Sequence, residues 1–269
     1  MRKKKWLTWL VLIVAFALLV LAGLDQRLIV RTYTLKSSKI DTPIRLVFLS
    51  DFHGCDDGND FLQQVAQLQP DVILMPGDMF SADGDAQEEL RLFRTLAAMV
   101  PTYYVTGNHE YWEYDVPQLL TQISETGVTV LNVSNAELVI KGQHINLCGV
   151  PDPYAYMDTD TSLNLATSAA DQANFTVLLA HRPELVDKYV ATNAFDLVVS
   201  GHAHGGQIRI PGLVNGLYAP NQGWLPQYAG GSYTVQGTTM IVSRGLSIQR
   251  QMGIPRIFNR PEVVVVEII

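Results

Sequence analysis

The chain has 269 residues, 48% of them hydrophobic and 17% charged, which is the composition of a folded protein with a full core rather than of a disordered one. Once the four basic residues before residue 25 are set aside, 15 lysines and arginines face 26 acidic residues, a balance of −11. A polyanion such as DNA needs a basic surface to displace its counterions, so nucleic acid is not an expected partner.

The chain opens with "RKKK" at 2–5, followed at 6–24 by "WLTWLVLIVAFALLVLAGL", a run with neither charge nor proline. As a helix it spans about 28 Å, close to the hydrocarbon thickness of a bilayer. The competing reading is a cleaved signal peptide, which calls for a shorter apolar region and a small-x-small cleavage site; "VLAGLDQ" offers a poor one. Residues 1–24 are therefore expected to be a basic tip and a membrane anchor. The tip would be cytoplasmic, and everything after residue 24 would lie outside the cytoplasm. Residues 25–43 read as a linker and 44–269 as the folded domain.

Within that domain "IRLVFLSD" (44–51) is an apolar run ending in an acid. A helical pattern follows, with Asn59 as its expected cap and Pro70 as its stop. "DVILMPGD" (71–78) repeats the strand pattern, 85–100 reads as a second helix, and "TYYVTGNHE" (102–110) as a third strand. Continuous apolar strands alternating with helices predict a parallel sheet covered on both faces. Residues 128–150 look like a meander that starts a second sheet, and further buried strands are expected at 174–181, 195–202, 238–245 and 262–269. The resulting expectation is an α/β fold of two packed sheets with helices outside. Cys55 and Cys148 are too few for a disulfide framework and lack zinc-knuckle spacing, and at least one is expected to be a packed thiol.

The polar residues at the strand ends are Asp51 and His53, Asp78, Asn108 and His109, His181, and His202 and His204. Loops at the carboxyl ends of parallel strands gather at one rim, where ligands bind. Residues i and i+2 of an extended chain point the same way, so the pairs Asp51/His53 and His202/His204 are each expected to aim at one point. Five of the six histidines end apolar runs, and only His144 lies inside one. A mixed oxygen and nitrogen shell of this kind suits manganese, iron or zinc.

Taken in order, "DFH", "GD", "GNHE", a later "AH" and "GHAH" resemble the calcineurin-like metallophosphoesterases over residues 44–269. "GHAHGGQIRIPG" and the closing "NRPE" are similar to their membrane-associated YkuE/YaeI-like branch. The resemblance implies a four-layer αββα sandwich and two divalent metal ions. It places Asp51, His53 and His204 on one metal, Asn108, His181 and His202 on the other, and Asp78 bridging both. The implied activity is phosphoester hydrolysis by a metal-bridging hydroxide, with His109 as the proton donor to the leaving group. Many relatives read "GDxxD", where the last acid orients that histidine; here Ser81 stands in its place, so that either Glu110, Asp83 or Asp85 is expected to substitute or turnover to be slower.

Arg182 and Arg244 are candidate phosphate clamps, with surface salt bridging as the plainer reading. Tyr111 and Tyr154 are candidate pocket walls, and the apolar loop 210–228 is a candidate lipid contact. An anchored domain would favour amphiphilic phosphodiesters or diphosphate esters, lipid-linked ones included. A metal-binding interaction module without turnover is the alternative function.

Overall fold

The structure is a computed structural model that describes residues 2–55, 58–82, 85–248 and 253–269; the side chains of 2–5, 7, 8 and 58–60 lie outside that description. The first half runs α1 (Arg2–Gly23), β1 (Ile29–Leu35), β2 (Ile44–Phe48), α2 (Gly58–Gln67), β3 (Val72–Pro76), α3 (Gln87–Met99), β4 (Thr102–Val105), α4 (Asn108–Glu113), α5 (Val116–Ser124) and β5 (Thr129–Val130). It continues with β6 (Ser134–Ile140), β7 (Gln143–Val150), α6 (Thr159–Thr167), β8 (Phe175–Ala180), α7 (Val186–Ala191) and β9 (Leu197–Ser200). The last strands are β10 (Tyr218–Ala219), β11 (Gly223–Trp224), β12 (Gly231–Val235), β13 (Thr238–Val242) and β14 (Glu262–Ile268).

Two six-stranded mixed sheets result, one in the order β1-β14-β2-β3-β4-β5 and the other β12-β13-β9-β8-β7-β6. Strand periodicity decides the layers. Ile44, Leu46 and Phe48 of β2 point inward to meet Leu147, Val177, Leu179 and Val199 of the facing sheet, whereas Val47 and the following Leu49 point outward. The outward face of the first sheet is covered by Phe61 and Val65 of α2, Phe93 and Leu96 of α3, and Leu119 and Ile123 of α5. That of the second is covered by Leu163 of α6 and by Val186, Tyr189 and Val190 of α7. Strands buried on both faces read as unbroken apolar runs, and here they form the expected αββα sandwich.

Several expectations need correction. The segment 25–43 is not a linker throughout, because β1 pairs in parallel with β14 from Ile29↔Glu262 to Leu35↔Ile268 and closes the first sheet. Its alternating half-exposed pattern carries too little apolar signal to stand out from a tether. The helix α2 begins at Gly58, one residue before the expected cap Asn59. The strand expected to run to residue 110 ends at Val105, and Asn108 opens a helix. The 128–150 segment is divided: β5 ends the first sheet, and the β6–β7 hairpin starts the second. The expectation of a packed thiol holds: Cys148 is buried in the outer cluster of the second sheet, and neither it nor Cys55 is in a disulfide.

Among the described residues no helix is long and apolar enough to cross a membrane. The continuous part of α1 with described side chains is 9–23. Its large apolar residues are exposed on every side, from Trp9 at 66% to Leu21 at 67%.

Near the rim the two sheets approach so closely that a Cβ on Gly149 of β7 would lie 2.3 Å from the Leu131 carbonyl oxygen and 2.8 Å from Val105 Cγ1. Gly149→Ala should therefore destabilise the fold by about 1–3 kcal/mol, because backbone has to move to admit the methyl group. Urea unfolding checks this, and an unchanged midpoint would show that the sheets separate freely.

Candidate metal centre

Five loops converge at the carboxyl ends of β2, β3, β4, β8 and β9, and all the strand-end residues named from the sequence lie on them. Asp51, Asp78, Asn108, His181, His202, His53 and His204 are buried, and His109 is half-buried. Three sets of donor atoms fall within 4.8 Å of one another: Asp51, His53 and His204; Asp78, His181 and His202; and His53, Asp78 and His109. His144 is elsewhere, exposed on β7 and paired with Glu137 at 2.5 Å.

The i, i+2 expectation holds for Asp51/His53 and fails for His202/His204, and its premise of extended backbone fails for both pairs. Asp51 (φ 52), His53 (φ 49), Asp78 (φ 53), His202 (φ 68) and His204 (φ 45) all occupy the left-handed region rather than extended backbone. Asp51 and His53 do share one cluster. His202 and His204 are split between two, because each left-handed residue turns the chain sharply. Glycine is required where these loops touch: a Cβ on Gly201 would meet Ser50 Oγ at 1.9 Å, and one on Gly107 would meet Asp78 Oδ1 at 2.2 Å.

In the first cluster Ser50 Oγ donates to Asp51 Oδ2 at 2.6 Å, and the His202 N–H donates to Asp51 Oδ1 at 2.9 Å. His204 Nε2 lies 3.3 Å from that same Oδ1 and 3.4 Å from His53 Nε2. Burial lowers the His53 imidazole to about 3 and holds His204 well below its ordinary value. Both rings are therefore neutral, the state in which they donate lone pairs. Two imidazole nitrogens on one tetrahedral ion are about 3.3 Å apart, given bonds of about 2.0–2.1 Å. The separation here fits a shared cation.

In the second cluster the Pro76 carbonyl lies 2.7 Å from His181 Nδ1 and fixes the N–H there. His181 Nε2 then faces Asp78 Oδ2 at 3.0 Å. A lone pair and a carboxylate cannot sit at that distance unless a positive charge, a proton or a metal ion, lies between them. Burial works against a protonated His181, yet Asp78 and Asp51 raise it to about 10, and His181 in turn holds Asp78 well below the carboxylate range. Buried Asn108 Oδ1 has no hydrogen-bond partner and is a further acceptor without a cation. His202 Nε2 is 2.8 Å from Asn221 Oδ1, which leaves Nδ1 as the ring atom with a lone pair to give. Asp78 Oδ2 also lies 3.9 Å from His53 Nε2, so this one carboxylate stands between the two clusters.

Of the expected substitutes for Ser81, Glu110 is committed to backbone N–H groups. Both Glu110 oxygens are used within the loops: Oε1 accepts from Met79 N–H at 2.9 Å and Phe80 N–H at 3.4 Å, and Oε2 from Gly107 N–H at 2.7 Å and Asp78 N–H at 3.2 Å. Asp85 Oδ1 accepts from Gln87 N–H. Asp83 lies outside the described residues. His109 is instead packed between rings, with centroids 4.4 Å from His53 and 4.8 Å from Trp112.

Both arginines lie against carboxylates, as the plainer reading has it. Arg182 is 7% exposed and forks onto Asp152, with Glu184 3.6 Å away, while Arg244 is held against Glu262. Tyr111 is tied to Thr106 at 3.2 Å, and Tyr154 remains exposed at the rim beside Arg182. Sequence reasoning missed Glu110 as a clamp and Asn221 altogether. It also missed Asn259 of "NRPE", whose Nδ2 donates to the His204 and Gln207 carbonyls at 2.7 and 3.1 Å. Its position in a closing motif was the only available signal.

Residues 44–206 match the calcineurin-like phosphoesterase family. Among curated proteins the chain is similar to an uncharacterized metallophosphoesterase of Helicobacter pylori, 31% identical over 84% of this chain and 60% of that one. It is 30% identical to a bovine transmembrane protein with metallophosphoesterase domain, over 82% of this chain and 52% of the relative. It is also 27% identical to the uncharacterized metallophosphoesterase YkuE of Bacillus subtilis, over 81% and 74%. The chain thus spans about half to three fifths of the length of the first two. A solved structure of GAP50, the anchor in the inner membrane complex of Plasmodium, shares the fold at a TM-score of 0.53 and 13% identity, over 84% of this chain and 81% of that one.

Three outcomes are expected. Metal loading near pH 7.5 should release at least one proton, because His181 holds one until about pH 10 without metal. Loading should also weaken as pH falls through about 6, where Asp51, raised by burial, takes up a proton. Calorimetry in two buffers of different ionisation enthalpy reads the first, and identical heats would refute it. Asn221→Ala should weaken binding of one ion about 10–100-fold and leave the other unchanged, as followed by metal titration.

Proposed function

The chain belongs to the calcineurin-like phosphoesterase family, and on that footing we propose that it hydrolyses phosphoester bonds at the rim centre with two divalent cations. The observation that carries this reading is the pair of buried donor clusters on either side of Asp78, each with its ligand atoms within 4.8 Å of one another. Asp51, His53 and His204 would hold one cation and Asn108, His181 and His202 the other, with Asp78 shared. Manganese, iron and zinc all suit that donor set. Bound there, the ions would neutralise phosphoryl oxygens and make water a nucleophile near neutral pH.

The chain's own residues supply the rest. Asp78 Oδ1 accepts the backbone N–H of His109 at 2.9 Å, so the carboxylate between the clusters also sets the place of the proton donor. The His109 ring belongs to the third cluster, beside His53 and Asp78, where it would protonate the leaving oxygen of a bound ester. Its half-buried position allows the proton to be replenished from solvent. The neutral His53, His202 and His204 rings need no deprotonation before they bind.

The proposal extends to the place of action. Among the described residues of α1 the large apolar side chains are exposed all round, which supports α1 as a membrane anchor with its basic tip on the cytoplasmic side. The bovine relative's description as a transmembrane protein agrees with an anchor in a bilayer. The likeness to YkuE supports placing the chain in the YkuE-like branch. Phosphodiesters or diphosphate esters near the bilayer surface, lipid-linked ones among them, are the substrates this reading favours.

Asp78→Ala should abolish turnover and lower metal content together, measured by elemental analysis alongside a phosphodiester assay. His109→Ala should keep its metals and lose about 10²–10⁴-fold in rate, most with poor leaving groups. An equal loss across good and poor leaving groups would remove His109 from the proton-donor role. Full metal loading of the wild-type chain without turnover of any phosphoester would favour the interaction-module alternative.

A further inference from the structure

Two side chains at the rim have no part in holding ions. Trp112 of α4 and Tyr154 of the turn Pro153–Ala155 are 53% and 46% exposed, and their rings meet at 75° with centroids 5.7 Å apart. Trp112 also lies 4.8 Å from the His109 ring, and the Arg182 guanidinium lies 5.5 Å from the centre of the Tyr154 ring. Four planar groups therefore run in series along the rim, from the proposed proton donor to the loop that follows β8. Aromatic packing is not enough to explain them. Phe80, Phe93 and Tyr104, which do pack, are fully buried beneath the same loops.

The row is also electrically quiet. Arg182 is spent on Asp152, which forks onto its Nε and Nη2 and caps the turn that carries Tyr154 by accepting the Tyr154 N–H at 3.0 Å. What the rim offers next to His109 is ring surface rather than charge. Such a surface takes another flat ring by stacking, and two walls near a right angle allow a face contact with one and an edge contact with the other.

We propose that Trp112 and Tyr154 form a subsite for the alcohol side of the substrate, and that it takes a planar ring, an aryl group or a nucleobase. The proposal rests on the reading of His109 as donor to the leaving oxygen: whatever is attached to that oxygen must lie beside His109 and hence against Trp112. Trp112 would then set specificity and not chemistry.

The test uses the metal-loaded full chain and two matched pairs. In the first, naphthylmethyl phosphonate and methyl phosphonate are titrated by calorimetry. In the second, diesters with leaving alcohols of equal acidity, one naphthyl and one small alkyl, are compared in turnover. The naphthyl phosphonate should bind about tenfold or more tightly than the methyl one; Trp112→Ala should erase the difference and Trp112→Phe should keep most of it. In turnover, the same change should raise KM for the naphthyl diester alone and leave kcat unaltered. Equal binding of the two phosphonates, or equal losses on both diesters in Trp112→Ala, would overturn the subsite and reduce Trp112 to packing of His109. Preferential naphthyl binding without turnover of either diester would uphold the subsite and strike the hydrolytic reading instead.

Discussion

The carboxylate of Asp78 is the point on which the rest of the site depends. Apolar contact between the facing sheets is strong but unspecific, since Leu, Ile and Val surfaces tolerate sliding. At the rim that freedom ends. Asp78, 1% exposed, faces His181 from the second sheet at 3.0 Å, accepts the His109 N–H from the loop after β4, and stands 3.9 Å from His53 in the loop after β2. A buried ion costs several kcal/mol unless it is compensated. The geometry that compensates this one also fixes how the two sheets' loops meet.

The arrangement is bought with backbone strain. Five of the side chains in the clusters belong to left-handed residues, each costing about 1–2 kcal/mol relative to ordinary backbone. Strain of this kind persists only where the surroundings over-determine it. Glu110 is one such constraint, since its two oxygens collect four N–H groups from the loops after β3 and β4. Its burial, together with the nearby Asp78 charge, raises its carboxyl to about 7, so the clamp itself is tuned by the site it supports. Asn259 constrains the other side, where its Nδ2 donates to the His204 and Gln207 carbonyls.

How much of this was readable in the sequence follows from the range of the signals. The central strands are buried on both faces, so each wrote itself as an apolar run, and the histidines at the ends of those runs marked the rim. Strand β1 did not, because an edge strand with alternate residues in water looks like any polar tether until β14 is beside it. The left-handed loops were hidden because φ is set by crowding among five converging chains and not by local residue preference. Glu110 and Asn221 were hidden for a third reason: their roles are hydrogen bonds to groups up to 32 positions away, and nothing in their immediate neighbours announces a partner.

Ser81 brings these strands of argument together at His109. Where an acid would hold the imidazole by a hydrogen bond, this chain uses the Ser81 backbone to knit its loop, with the N–H on Glu89 at 3.0 Å and the carbonyl on the Tyr114 hydroxyl at 2.8 Å. Glu110 is fully committed elsewhere. The His109 ring is packed instead against flat neighbours, with centroids 4.4 Å from His53 and 4.8 Å from Trp112. The indole also stands at the mouth of the site with half its surface in water, so the wall beside the proton donor is left open to the group that the donor serves.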